Sequence, residues 1–335
     1  MTRFAPTPIN AVLAAAALAI CMVPDAAFAQ AEATSDFLKD GIGTNTERMP
    51  HHEGSWVALG IIVSSVLVAG ALNAARPTVR SIGVVLAALG CLAVTSWFVW
   101  AYGTGFVSDP RPHVVPTDGA KPTLLWLQAA AGLAAGIILL LVASAQMKRT
   151  DKLALPDTNT PDTYGRVSRY LHWAIAVMFL SLVPMGIFMS MVPDDTSFRP
   201  GYYVAHKTIG LIILALALAR LGWHFYAPRP HLDASLKPWE RRSAHSAHVL
   251  LYVLMIGFPV TGFVMSTYAG KLSHFFIWDT PLFWAPSEEA IVIWGLLHKI
   301  VLPYVFFLVI GAHVLGALKH QFIDGHKGAF RRMAT

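Results

Sequence analysis

Histidines inside hydrophobic segments are the feature that most restricts what this chain can fold into. Four of them lie near the ends of apolar segments in the second half of the 335-residue sequence: His172, His206, His298 and His313. An ionisable side chain at membrane depth is costly and marks a functional site by default. The four fall at two depths, one pair near each end of the segments. We therefore expect two separate sites.

The composition indicates a helical membrane protein. Only 13% of the residues are charged and 55% are hydrophobic, whereas soluble domains average about a quarter charged residues. The net charge of +6 is spread over short loops, which argues against a nucleic-acid-binding face. We predict an all-α protein embedded in the lipid bilayer, because seven apolar segments can each cross about 30 Å of hydrocarbon as a helix. They are residues 55–75, 81–102, 123–145, 170–191, 205–223, 248–268 and 291–318.

The N-terminus is typical of a secretory signal peptide over residues 1–29. Arg3 is followed by an apolar stretch and by an A-x-A pattern that ends at Ala29. The alternative is an uncleaved anchor helix. Cleavage would remove Cys21 and leave Cys91 as the only cysteine, so that no disulfide could form within the chain.

Loop charges predict the orientation in the membrane. Fifteen lysines and arginines fall on one set of loops and tails, and six on the opposite set. Because the more positive loops face the cytoplasm, we expect a multi-pass protein of the bacterial inner membrane. Its mature N-terminus would be periplasmic and its C-terminus cytoplasmic.

The histidines divide the chain into two membrane units. All four follow a polar stretch with two prolines, which is typical of a linker. We predict an outer polar segment at 30–54, a three-helix accessory unit at 55–146, a cytoplasmic linker at 147–163 and a four-helix unit at 164–335.

Spacing suggests what the histidines bind. His298 and His313 are 15 residues apart, which is about 22 Å and an angular offset of about 60° on one α-helix. That helix could therefore give one axial ligand to each of two b-type haems. His172 would join His313 at the cytoplasmic depth, and His206 would join His298 at the outer depth. Haem iron with two histidine ligands mainly passes single electrons.

Other residues near these depths fit such sites. Arg166, Arg169 and Arg220 lie at the cytoplasmic level and could pair with haem propionates. Small residues let a flat macrocycle or a second helix approach closely. Glycines lie near two of the histidines, with Gly210 one turn after His206 and with Gly311 and Gly316 on either side of His313.

Five segments of the second half of the chain form a recognisable set. They are RYLHW (169–173), HKTIG (206–210), WERRSAHSAHVLLY (239–252), FPVTG (258–262) and GAHVLGALKHQFID (311–324), with a closing RRM at 331–333. Taken together, they resemble the bacterial cytochrome b561 family, which is related to the cytochrome b subunits of nickel–iron hydrogenases and formate dehydrogenases. The resemblance covers about residues 164–333. It implies a four-helix bundle with two b haems that moves electrons between quinones and another redox partner. It also implies the same pairing, His172 with His313 and His206 with His298.

Two further histidines, His245 and His248, begin the third helix of this bundle. Their i, i+3 spacing places both on one helix face. They could hydrogen-bond a propionate or a quinone, or one could replace His172 or His313 as a ligand. We favour the role without iron ligation.

Three functions follow from these patterns. The first is transmembrane electron transfer that exchanges electrons with the quinone pool at one end. The other end would meet superoxide or another periplasmic electron donor. The second is a membrane-anchor subunit that receives electrons from a dehydrogenase or hydrogenase partner. The third is a transporter or scaffold without redox activity, in which the histidines are structural. Whether the chain is an enzyme or a carrier is left open by the sequence.

Overall fold

The fold is known from a computed structural model that describes residues 51–103, 120–147, 155–190, 199–232, 236–276, 278–324 and 332–333. The predicted signal peptide and residues 30–50 of the outer polar segment lie outside these ranges. So do residues 148–154 of the linker. All the statements below concern the described residues.

Long apolar helices make up most of the described chain. The helices are α1 (His51–Leu72), α2 (Pro77–Gly103), α3 (Ala120–Met147), α4 (Arg166–Met189), α5 (Arg199–Tyr226), α6 (Pro238–Tyr268), α7 (Glu288–Leu296) and α8 (Leu302–Leu318). Helices α7 and α8 are continuous through a π-helical turn and form one span. Within the described ranges, seven spans are long and apolar enough to cross a membrane. The predicted all-α multi-pass fold is confirmed. The first helix begins at His51, four residues before the predicted start.

The first helix packs against the histidine-bearing helices. Ala58 of α1 is fully buried in the same apolar cluster as Met178 of α4 and Ile209 of α5. At the end of α1, the Asn73 amide oxygen accepts a 3.1 Å hydrogen bond from Nε of the fully buried Arg169. The accessory helices and the bundle therefore share apolar contacts.

The segment before α4 is part of the packed structure. The Asn159 side-chain nitrogen donates to the Ala227 carbonyl at 2.8 Å, and its oxygen accepts from the Gly165 backbone and the Ser168 hydroxyl. The Trp173 indole donates to the Met333 carbonyl at 2.8 Å. These hydrogen bonds tie the linker and the chain end to the start of α4.

The start of α6 is fixed against the end of the last span. The Glu240 carboxylate accepts from the Lys237 backbone at 2.9 Å, as in a capping box, and Pro238 occupies the first turn. The same carboxylate pairs with Lys319 at 2.7 Å. Lys319 also pairs with Asp324, and its hydrogen bond holds the pKa of the Asp324 carboxyl below its usual range. These contacts set α6 beside the helix that carries His313.

The last span is interrupted where Pro303 enters it. Proline lacks a backbone N–H, and its ring clashes with the carbonyl four residues earlier. The preceding turn, Leu297–Val301, is widened to a π-helix, and His298 lies in it. Such π-turns are rare and occur frequently at functional sites.

A short antiparallel hairpin closes the opposite end of α6. It comprises β1 (His274–Phe275) and β2 (Trp278–Asp279). The Phe276 N–H donates to the Thr208 hydroxyl at 3.1 Å, and the Lys207 ammonium donates to the Leu272 carbonyl at 2.6 Å. The hairpin is therefore held to α5 beside His206.

Candidate functional site

Four predicted histidines meet as two pairs inside the bundle. The rings of His172 on α4 and His313 on α8 have centres 6.4 Å apart. The rings of His206 on α5 and His298 have centres 6.2 Å apart. All four side chains are partly buried. We call the first two the inner pair and the other two the outer pair.

The separation within each pair fits a metal between the rings. Two imidazoles that ligate one metal from opposite sides, with bonds of about 2 Å each, place their ring centres about 6 Å apart. Both measured separations match this value. The planes within the pairs are inclined by 63° and 87°, so the rings are not stacked on one another. Neutral imidazole nitrogen is a usual axial ligand of haem iron. The residues present therefore fit two haem sites.

The π-helical turn changes the predicted facing of the histidines on the last span. A regular helix gave an offset of about 60° for the 15 residues that separate His298 from His313. One π-turn absorbs about one residue, so the offset becomes about 40° in the other direction. Both rings still point to the same side, and each finds its partner there.

Two glycines lie against the outer pair: Gly262, the last residue of the FPVTG segment, and Gly186, which the sequence did not single out. A Cβ on Gly186 would come within 2.9 Å of Cε1 of His206, and one on Gly262 within 2.7 Å of Cε1 of His298. Real Cβ atoms essentially never approach so closely, so a larger residue would displace either ring. By contrast, a Cβ on Gly210 would meet only Leu182, at 3.9 Å. No sequence motif distinguishes Gly186 from other glycines in apolar helices.

An aromatic cluster lies between the two pairs along the helices. Phe179 contacts Phe258 and Phe306 at centroid distances of 5.4 and 5.3 Å, and all three side chains are buried. Phe306 follows His298 by two turns and precedes His313 by two turns. Phe258 also contacts the His298 ring edge-on at 5.8 Å. The cluster places apolar rings between the two levels of the bundle.

The third histidine at the inner level is His248. Its ring centre lies 5.5 Å from that of His313. It therefore contacts the same ring as His172 does, from α6. His245, one turn earlier, is exposed to the surroundings.

The three arginines predicted for propionates have different surroundings. Arg220 on α5 donates to the Tyr252 hydroxyl of α6 at 3.4 Å, and its guanidinium lies 5.9 Å from the centre of the Tyr252 ring. Arg166 forms a 2.6 Å ion pair with Asp157 at the surface. Arg169 is fully buried and bonded to α1. Arg220 therefore contacts α6 at Tyr252, one turn after His248.

Comparison with known proteins decides the family. The family model for prokaryotic cytochrome b561 matches residues 163–335, about half of the chain and the part that holds both pairs. This chain belongs to the prokaryotic cytochrome b561 family. Members of the family bind haem b and carry electrons in membranes, and the resemblance seen in the sequence motifs is confirmed.

Individual relatives agree with this assignment. Cytochrome b561 homolog 2 of Escherichia coli (strain K12) is 31% identical over 172 residues, which are 50% of this chain and 89% of that protein. Cytochrome b561 homolog 1 of the same strain is 23% identical over 171 residues, covering 51% of this chain and 96% of that protein. A Yersinia pestis protein named "Probable superoxide oxidase CybB" is 23% identical over 156 residues, covering 46% of this chain and 85% of the relative.

Proposed function

We propose that the chain carries single electrons across the membrane between two b-type haems. The observation that carries the proposal is the pairing of four histidines from α4, α5 and the last span, with both ring separations near 6 Å. The inner pair would hold one haem and the outer pair the other. A haem held by two of these histidines would supply one-electron chemistry rather than oxygen activation.

The chain's own residues give each level a different environment. The phenylalanine cluster keeps water from the space between the levels, which maintains a low dielectric there. Arg220, which contacts Tyr252 one turn from His248, is our proposed propionate partner. Arg166 and Arg169 stay predictions for that role. We propose that His248 and His245 hydrogen-bond a propionate or a quinone at the same end and do not ligate iron.

The charge bias of the loops supports an orientation for this carrier. We place the inner pair near the cytoplasm and the outer pair near the periplasm, because the lysine- and arginine-rich loops lie on the side of His172 and His313. The mature N-terminus is then periplasmic and the C-terminus cytoplasmic. The protein works in the bacterial inner membrane, after cleavage of the signal peptide at residues 1–29.

The quinone pool is our proposed partner at one end. The partner at the other end is a periplasmic reductant, and the name of the Yersinia pestis relative favours superoxide. Lys207, Lys271 and Lys299 are the positive residues near the outer end that would attract such an anion.

A second function is favoured by the accessory helices. Because α1 shares the bundle core, helices α1–α3 form a fixed extension of the electron-carrying unit. Such an extension would suit the membrane-anchor subunit of a dehydrogenase or hydrogenase. Co-purification from native membranes distinguishes the two functions, because an anchor subunit would be recovered with a soluble redox partner and an autonomous carrier would not.

The experiment that tests electron transfer uses the purified chain in lipid vesicles loaded with ferricyanide. Quinol added outside should reduce the haems, which is seen in their b-type absorption bands. The enclosed ferricyanide should then be reduced and lose its colour. Vesicles with His206→Ala or His313→Ala protein should bleach at the rate of protein-free vesicles. A purified chain without reducible b-type bands would rule out the carrier.

A further inference from the structure

The two histidines of the outer pair differ in what holds their second ring nitrogen. Nδ1 of His298 lies 3.1 Å from the Thr261 hydroxyl on α6. Nδ1 of His206 is buried and has no hydrogen-bond partner among the described residues. One ring of the pair is therefore fixed by a hydrogen bond, and the other is held by packing alone.

The surroundings of Thr261 determine the direction of that hydrogen bond. The Thr261 hydroxyl also lies 2.7 Å from the Gly257 carbonyl and 3.0 Å from the Phe258 carbonyl. Carbonyl oxygens only accept, and a hydroxyl has one proton to donate. Its proton goes to the Gly257 carbonyl, the nearer of the two, so the hydroxyl accepts from His298, whose ring also hydrogen-bonds the Phe258 backbone. Nδ1 of His298 then carries the proton, and Nε2 has the free lone pair that a metal requires.

Gly262, the next residue on α6, completes the arrangement. Its lack of a side chain admits the His298 ring, since a Cβ there would lie 2.7 Å from Cε1. Thr261 is buried, with 5% of its surface exposed, so water does not compete for the hydrogen bond. We call Thr261 and Gly262 the histidine seat.

We propose that the histidine seat fixes the tautomer and orientation of His298 and thereby sets the reduction potential of the outer haem. This inference rests on the proposed haem sites. A hydrogen bond accepted from the distal N–H of a ligating imidazole raises the basicity of the ligand and orients its ring. A more basic ligand stabilises the oxidised metal. Thr261 is a positioning residue in this scheme.

The test is a potentiometric titration of the purified two-haem protein with Thr261→Val, which keeps the shape and removes the hydroxyl. We expect one of the two reduction steps to move to a higher potential, while the haem content stays at two per chain. The expected change is about tenfold in the ratio of reduced to oxidised haem at a fixed ambient potential, which is about 59 mV for one electron. Thr261→Ser restores the hydroxyl and should titrate like the natural protein.

Two further variants keep the test decisive. Thr267→Val on the same helix removes a buried hydroxyl whose one hydrogen bond among the described residues goes to the Phe263 carbonyl, and it should move neither step. Gly262→Ala should lose the outer haem and retain the inner one. If Thr261→Val lost the outer haem while Thr261→Ser kept it, the seat would also be supported.

Unchanged potentials in Thr261→Val would overturn the seat, as would equal shifts in the valine and serine variants. Two haems retained at natural potentials in Gly262→Ala would do the same. Those results would leave the two-haem carrier intact, because the natural protein would still hold both haems. A natural protein without haem would instead overturn the proposed function.

Discussion

His206 and His298 face each other with ring centres 6.2 Å apart and ring planes inclined by 87°. Since His298 lies in a π-helical turn of the last span, this contact joins α5 to a distorted part of that span. The ring separation fits a metal held between the two rings, and one of the two histidines lies at a helix distortion. Together these two observations are the strongest structural sign of a site in the outer half of the bundle.

Replacement of His298 should remove one cofactor and leave the other. We expect His298→Ala to contain one haem b per chain instead of two, because the inner pair is made by different residues and separated from His298 by the phenylalanine cluster. Haem extraction with protein quantitation measures this. His231→Ala, which changes an exposed side chain, is the control and should keep two. Unchanged haem content in His298→Ala would show that the outer pairing is wrong.

The inner level has three histidines, and variants separate their roles. His172→Ala should lose the inner haem, whereas His248→Ala should retain both haems, because we assign the ligand position opposite His313 to His172. The measured ring separations are 6.4 Å for His172 and 5.5 Å for His248. Haem content and the low-spin signals of the oxidised protein provide the readout. The reverse result would make His248 the ligand.

Gly186 gives a steric test of the outer site from the opposite helix. Gly186→Ala should lower the outer haem occupancy at least severalfold, because the new methyl group would displace the His206 ring. Gly60→Ala is a matched control in α1, where a Cβ meets nothing within 4 Å. Equal haem content in both variants would contradict the observed packing of His206 against α4.

Asn159 should matter for stability rather than for electron transfer. Its side chain makes hydrogen bonds to the Ala227 and Pro228 carbonyls, the Gly165 backbone and the Ser168 hydroxyl. Asn159→Ala leaves several partly buried groups unpaired, which costs about 1–3 kcal/mol of unfolding free energy. Denaturant unfolding in detergent measures the loss. Thr158→Ala, at an exposed neighbour, should unfold like the natural chain, and an equal loss there would argue against a specific role for Asn159.

Sequence patterns predict the coarse features of this protein because membrane insertion imposes strong rules on composition. The lengths of the apolar segments predict the seven spans. The depths of the histidines within those segments predict that His172 meets His313 and that His206 meets His298. The accessory helices were harder to place, since nothing in residues 55–75 distinguishes a face that meets lipid from one that meets α4 and α5. Tertiary packing decides that contact, and the Asn73–Arg169 hydrogen bond joins residues 96 positions apart.

The sequence also does not predict which way His298 faces or which residues contact the outer pair. A regular helix predicts an offset of about 60° between His298 and His313. Pro303, five residues after His298, disturbs that regularity. A proline can produce a kink, a break or a wider turn, and the surrounding packing selects among them. Gly186 and Thr261 become meaningful only when the helix that each of them faces is known.

The most direct measurement of the central claim is the number of haems per chain with their reduction steps. The purified natural protein should contain two haem b groups per polypeptide and titrate in two one-electron steps. A protein with no haem, or with a single haem and a single step, would contradict the account of two histidine pairs as two cofactor sites.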